Sequence, residues 1–195
     1  MLPTSQSLLD RIRDSSDQEA WRRLLNVYEP WLRGWLHRHE LQPADVEDVL
    51  QEILVAINKS LPNFVHNGQP GAFRKWLRTI LTNQVRYFLR GNRNRQSRFT
   101  SPPNLDWLEQ LEDADSALTK KWDREHDQQL VRRMLANLQP EFNAMTWQAF
   151  QLLVLEDQPA GVVAQRLNMT CNAVYVAKSR ILSRLRTELR GLMEF

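Results

Sequence analysis

Apolar residues along this chain recur at helical spacing, and no convincing run of alternating apolar and polar residues reads as strand. Ser16-Asp17-Gln18-Glu19 has the layout of a capping box, with the Ser16 oxygen on a free backbone N–H and Glu19 reaching back. The helix it opens buries Trp21, Leu24, Leu25 and Tyr28, and Pro30 inside the pattern predicts a kink or restart before Trp31-Leu32-Arg33 and Trp35-Leu36. A second helix begins near Pro43, where proline suits a first turn. One of its faces carries Val46, Val49, Leu50, Ile53, Leu54 and Ile57, while Asp45, Glu47, Asp48, Gln51 and Glu52 lie outside that face. Pro62 and Asn67-Gly68-Gln69-Pro70-Gly71 mark a loop. A third helix, about Ala72 to Arg90, bears Phe73, Trp76, Leu77, Ile80, Leu81, Val85 and Phe88.

The pattern then stops. Gly91 to Arg98 is polar and basic, Ser101-Pro102-Pro103-Asn104 follows, and then an acidic stretch holds Asp106, Glu109, Glu112, Asp113 and Asp115. A switch of charge around a Pro-Pro pair reads as an interdomain linker, although Trp107, Leu108 and Leu111 suggest that part of it docks. Helical pattern resumes from Ala117 to about Asn137, and again from Pro140 through Leu155. Two further helices, Ala160–Leu167 and roughly Cys171–Gly191, complete the chain. The expectation is an all-α protein of two small helical domains, 1–95 and 117–195, joined by a flexible linker, 96–116, without an internal repeat.

Composition narrows the function classes. At 195 residues with 42% hydrophobic and 25% charged, the chain can build real cores and has the make-up of a soluble protein. No stretch approaches the apolar length of a membrane span, and MLPTSQSLLDRIRD lacks the layout of a secretory signal, so the expected location is cytoplasmic without membrane insertion. Cys171, the single cysteine, leaves no internal disulfide and no cysteine-built zinc site. The formal charge of +3 is mild and hides strong local asymmetry.

That asymmetry points to nucleic acid. Val163, Leu167, Met169, Val174 and Ile181 have the spacing of a seam between two crossed helices, and Ala164 is small where the second helix must approach. Asn168 fits the turn, in a left-handed conformation, and Thr170 fits the N-cap of the second helix. That helix carries Asn172, Tyr175, Lys178, Ser179, Arg180, Arg184 and Arg186 outward, as a helix entering a major groove would. An ordinary helical hairpin with a solvated basic face is the bland alternative. The third helix is the other basic element: Arg74, Lys75, Arg78, Arg86, Arg90, Arg93, Arg95 and Arg98 occur with no acid between Gly71 and Arg98. Interleaved Phe73, Trp76, Tyr87 and Phe88, most of them expected in the core, favour phosphate contact with base stacking, and Asn83 and Gln84 are its neutral candidates for base edges. Asp45, Asp48, Gln51 and Glu52 would repel phosphate and suit a protein-docking face.

These residues resemble a known family. Asp48-Val49-Leu50-Gln51-Glu52-Ile53 looks like region 2.2 of bacterial sigma-70-type factors, Phe73–Asn83 resembles regions 2.3–2.4, and Gln158–Arg186 is similar to region 4.2. Their order and spacing, with no intervening third domain, resemble the extracytoplasmic-function (ECF) group over nearly the whole chain. The resemblance implies a region 2-like bundle and a region 4-like helix-turn-helix with core RNA polymerase (β′ clamp and β flap) and promoter DNA as partners. It implies that Asp45, Asp48, Gln51 and Glu52 bind the β′ clamp, and that the loop Asn63–Gly71, including His66 and Asn67, holds a base flipped from the −10 element. Arg74, Trp76, Arg78, Asn83, Arg86 and Arg90 would line the adjacent strand and upstream duplex. Thr170, Asn172, Ala173, Tyr175, Val176, Lys178, Ser179, Arg180 and Arg184 would read the −35 element. Compared with the common Gly-Thr-Val-Lys-Ser-Arg pattern, Cys171–Lys178 is more apolar, which opens a contribution from DNA shape. Asn168 stands where glycine is usual. An anti-sigma partner is common in that family, and no residue of the sequence identifies one.

The alternatives are a stand-alone helix-turn-helix regulator on a duplex operator and, more remotely, an enzyme. His37 and His39 form an H-x-H that does not match the i, i+4 spacing of helical metal ligands, so both are expected at the surface. His66 and His126 have no assignable partner, and no carboxylate pair is flanked by a nucleophile, a phosphate loop or a metal set. No cofactor is expected. Cys171 at a helix start is a candidate for a lowered thiol pKa and a redox role.

Overall fold

Asp17 starts the first long helix: its carboxylate accepts from the Ala20 amide at 2.9 Å, satisfying a donor that the first turn leaves open. The computed structural model describes residues 7–13, 17–39, 41–67, 69–93, 105–190 and 192–193. Ser16, expected as the cap, and Arg95 and Arg98 lie outside the described residues.

Helix α1 (Leu8–Arg13) is short, and α2 (Gln18–His37) runs through Pro30 without the expected restart. A proline inside a helix costs about 3 kcal/mol. Here Val27, Tyr28, Trp31, Leu32, Trp35 and Leu36 are all buried, on both sides of Pro30, and their burial outweighs that cost. Helix α3 (Pro43–Ser60) begins on the expected proline and ends in a 3₁₀ turn, Leu61–Asn63. Helix α4 (Ala72–Arg93) follows the loop, with Phe73, Leu77, Leu81, Val85 and Leu89 inward.

Within the expected linker, residues 105–116 are ordered chain. Asp106–Glu112 forms helix α5, with Trp107, Leu108 and Leu111 buried against α4 and the next helix. That next helix, α6 (Ala117–Leu138), is capped by Ser116, whose hydroxyl accepts from the Thr119 amide at 3.0 Å. Helix α7 (Ala144–Phe150) runs into a π-helical turn, Gln151–Leu155, and α8 (Ala160–Leu167) and α9 (Cys171–Leu189) complete the helix-turn-helix.

Among the described residues, two apolar cores result. The main one draws on α1 to α6 and on Leu185, Leu189 and Leu192 at the C-terminal end. A smaller one unites Ala149, Leu152, Val163, Ala164, Val174 and Ala177 around the helix-turn-helix. Among the described residues, no helix is long and apolar enough to cross a membrane.

Candidate nucleic-acid interface

Helix α4 has a buried apolar stripe, an exposed stripe and, between them, a row of arginines. Lys75, Thr79, Asn83, Tyr87 and Arg90 are exposed, with Tyr87 at 70%. Arg74, Arg78 and Arg86 are not: each meets acids from α5 or α6. Arg74 holds Asp127 at 2.8 Å and lies 3.4 Å from Asp123, Arg78 donates to Asp123 at 3.2 Å, and Arg86 is bidentate on Glu112. Helix α4 contains no acid, so its arginines find no carboxylate within their own helix and take those of α5 and α6. Burial pushes the Arg78 guanidinium below its ordinary pKa, a shift opposed by Asp123 and reinforced by Arg74, while the hydrogen bond from Arg86 holds the Glu112 carboxyl low. Trp76 is half-buried, its ring 5.1 Å from Phe64 and 5.2 Å from Phe73.

Behind this row lies a chain of polar groups that the sequence did not announce. The Tyr28 hydroxyl is 3.0 Å from His126 Nε2, and His126 Nδ1 is 2.9 Å from Asp127, which continues to Arg74. Tyr28, His126 and Asp127 each find a partner in this chain, whereas the buried Arg74 Nε has no hydrogen-bond acceptor among the described residues. Burial raises the Tyr28 hydroxyl well above its usual value, and the charge of Asp127 adds to the effect. Burial alone would raise Asp127 as well, but the hydrogen bond from His126 and the charge of Arg74 bring it below the ordinary carboxylate range. A carboxyl lowered on folding contributes stability above its unfolded pKa of about 3.9 and loses it as pH falls through the folded value. The denaturation midpoint is therefore expected to fall below about pH 4, and Asp127→Asn to flatten that acid-side fall relative to the native chain.

The loop ahead of α4 depends on Gly71. Its φ of +77° is left-handed, and a β-carbon there would stand 2.9 Å from the Arg74 Nε. Gly71→Ala is expected to cost about 1–3 kcal/mol in a denaturant titration, because strain adds to displacement of the Arg74 pair. In the same loop Asn63 and Asn67 are exposed, Asn67 accepts from the Gln69 amide at 3.0 Å, and His66 meets Phe64 edge-on.

On α3, Asp48, Gln51 and Glu52 are exposed with Glu47 and Val55, and Asp45 is half-buried. Glu47 is bound to Arg33 at 2.8 Å and is not free for a partner. In the helix-turn-helix, Asn168 takes φ 52° and ψ 47°, the left-handed turn expected of it, and the Thr170 hydroxyl accepts from the Ala173 amide at 3.1 Å. Val163, Val174 and Ile181 are fully buried, and Leu167 and Met169 partly so. Thr170, Asn172, Tyr175, Val176, Ser179 and Arg180 are exposed, with Ala173 and Lys178 partly so. Arg184 sits elsewhere: it donates to Glu141 at 2.8 Å and lies 2.5 Å from the buried Glu188.

His39, expected at the surface, is sandwiched between Trp107 at 4.1 Å and Trp35 at 5.5 Å, while His37 is exposed. Burial, then the charges of Arg38 and Lys121, lower the His39 pKa. Among the described residues, no group of three or more His, Cys, Asp or Glu could hold a metal ion. Sequence reasoning missed Glu112, Asp123, Asp127, His126 and Tyr28. A signal existed: Asp123 and Asp127 are one helical turn apart, and His126 falls within the apolar stripe of α6.

Comparison with known proteins adds an independent observation. Residues 24–95, from α2 through α4, match the Sigma-70 region 2 model. The chain is also 28% identical over 81 residues to the ECF RNA polymerase sigma factor SigE of Mycolicibacterium smegmatis. That match takes in 42% of this chain and only 30% of that protein.

Proposed function

We infer from this chain's membership of the sigma-70 family, extracytoplasmic-function type, that it serves as an RNA polymerase sigma factor, directing initiation at promoters by recognising −10 and −35 elements and opening the strands. The observation that carries this reading is an exposed acidic face on α3 next to an acid-free basic helix, both inside the region 2 match. A carboxylate-rich face repels phosphate and suits a protein partner, whereas the neighbouring basic face suits DNA.

We assign residues 1–95 to polymerase binding and the −10 element, 96–116 to the connection, and 117–195 to the −35 element. Asp48, Gln51 and Glu52, flanked by Asp45, dock on the β′ clamp. Asn63, His66 and Asn67 bracket the pocket for an extruded base, and Trp76, Asn83 and Arg90 border the adjacent strand. Arg74, Arg78 and Arg86 belong to the same face once their acidic partners give way. At the −35 element, Thr170, Asn172, Ala173, Tyr175, Val176, Lys178, Ser179 and Arg180 face the groove, and the β flap holds this half on the polymerase. Arg184, committed to Glu141 and Glu188, steadies the reading helix from behind. Two modest DNA contacts joined through polymerase gain the avidity that neither has alone.

The test is reconstitution with core RNA polymerase on genomic template, followed by sequencing of the transcript starts. Starts that share two upstream elements are expected. Absence of any promoter-dependent transcript would sink the reading, and tight specific duplex binding by the chain alone would point to a stand-alone regulator.

A further inference from the structure

We propose that the acidic face formed by α5 and the first half of α6 is a built-in mask: its carboxylates occupy the guanidinium sites of α4 that single-stranded DNA phosphates would take, so that the chain alone binds such DNA weakly. The proposal rests on the reading of α4 as a nucleic-acid face.

Three observations carry it. First, all the acids on the α4 arginines come from one short stretch, Glu112 to Asp127, and they meet Arg86, Arg78 and Arg74 in that order along the helix. A carboxylate presents a guanidinium with two oxygens in the fork geometry that a phosphate also offers, so one can stand in for the other. Second, the pairs are partly sheltered, with side-chain exposures of 7% for Arg78 and 20% for Arg74, which protects them from salt screening. Third, the packing that holds the mask in place is imperfect. Trp122 of α6 meets Trp31 in a tilted contact, ring centroids 4.4 Å apart, and Trp35 edge-on at 4.8 Å, yet the indole N–H groups of all three are buried with no acceptor among the described residues. Unmet buried donors lower the stability of the closed arrangement. The exposed remainder of α4, Lys75, Asn83, Tyr87 and Arg90, offers a strand its first contacts beside the mask.

The experiment measures binding of a fluorescent single-stranded DNA of about 20 nucleotides to the full chain, without polymerase, across a salt series. Asp123→Asn with Asp127→Asn is expected to bind about ten-fold tighter than the native chain. Its salt slope should steepen by about 0.7 for each arginine freed. Glu112 is exposed, so Glu112→Gln leaves the core untouched; freeing Arg86 alone is expected to give about a three-fold gain. Asp123→Glu with Asp127→Glu keeps the mask and should bind as weakly as the native chain. Asp115→Asn with Glu156→Gln makes the same charge change at exposed acids and controls for net charge. If the neutralised variants gain no more than this control, or the glutamate variant gains as much as the asparagine one, the mask is refuted. Should the double asparagine variant lose helical signal, the Glu112→Gln result decides alone. Promoter-directed transcription with polymerase reads the sigma assignment separately, so a failed mask beside intact transcription leaves that assignment standing.

Discussion

Replacing Trp122 with alanine is expected to lower the unfolding free energy by about 3–5 kcal/mol, the usual cost of emptying a buried aromatic site. Trp122 is fully buried and contacts both Trp31 and Trp35 of α2. Its loss removes ring contacts with two neighbours that are held by their own packing and cannot collapse into the void. For a chain of this length the melting temperature should drop by about 10 °C, read by far-ultraviolet circular dichroism. Trp122→Phe, which keeps a ring in the site, should lose less than half as much. A loss below about 1 kcal/mol for the alanine variant would mean that α6 does not dock on α2 in solution.

The second large effect concerns α3. Asp48→Lys with Glu52→Lys reverses two exposed charges on the face proposed to meet the β′ clamp. Placing like charges across an interface costs several kcal/mol, so affinity for core polymerase should fall by about 100-fold or more. Fluorescence anisotropy of labelled chain titrated with core enzyme measures it. Folding should be spared, since surface substitutions clear of packed features stay within about 0.5 kcal/mol. Asn58→Lys, which adds a charge at an exposed position near the far end of the same helix, should bind polymerase almost normally. Equal weakening by all the lysine variants would remove the assignment of this face.

What could be read in advance was what local chemistry decides. Pro43 marks the start of α3, and Asn168 and Thr170 mark the turn and cap of the helix-turn-helix, because each acts through its own backbone or the next few residues. Pro30 was misleading for the opposite reason: packing of distant residues on α2 overrides a local penalty. The candidate site was legible as residue types but not as pairings. Arg74 and Asp127 are 53 positions apart, and Tyr28 and His126 are 98 apart, so neither contact leaves a trace in periodicity. Helix α6 was harder still. Its buried stripe of Thr119, Trp122, His126, Leu130, Met134 and Leu138 includes a histidine and a threonine, which disguise its inward face. The basic run of α4 was visible in the sequence, but its partners were not: Glu112 lies in the expected linker, and Asp123 and Asp127 lie in the helix that follows it.

Helix α9 joins the two cores, with Val174 and Ala177 in the small one and Leu185 and Leu189 in the large one. Its 19 residues make a rod of about 28 Å. On the reading proposed above, that rod acts as a ruler, fixing the distance from the end assigned to the −35 element to the body that carries α4. A template whose two elements match this span can be engaged without strain. One whose elements are further apart can be engaged only after Leu185, Leu189 and Leu192 leave the large core, and each withdrawal exposes apolar surface to water. In the proposed reconstitution with polymerase, tolerance to spacer length is therefore expected to gauge how firmly the last turns of this helix are moored.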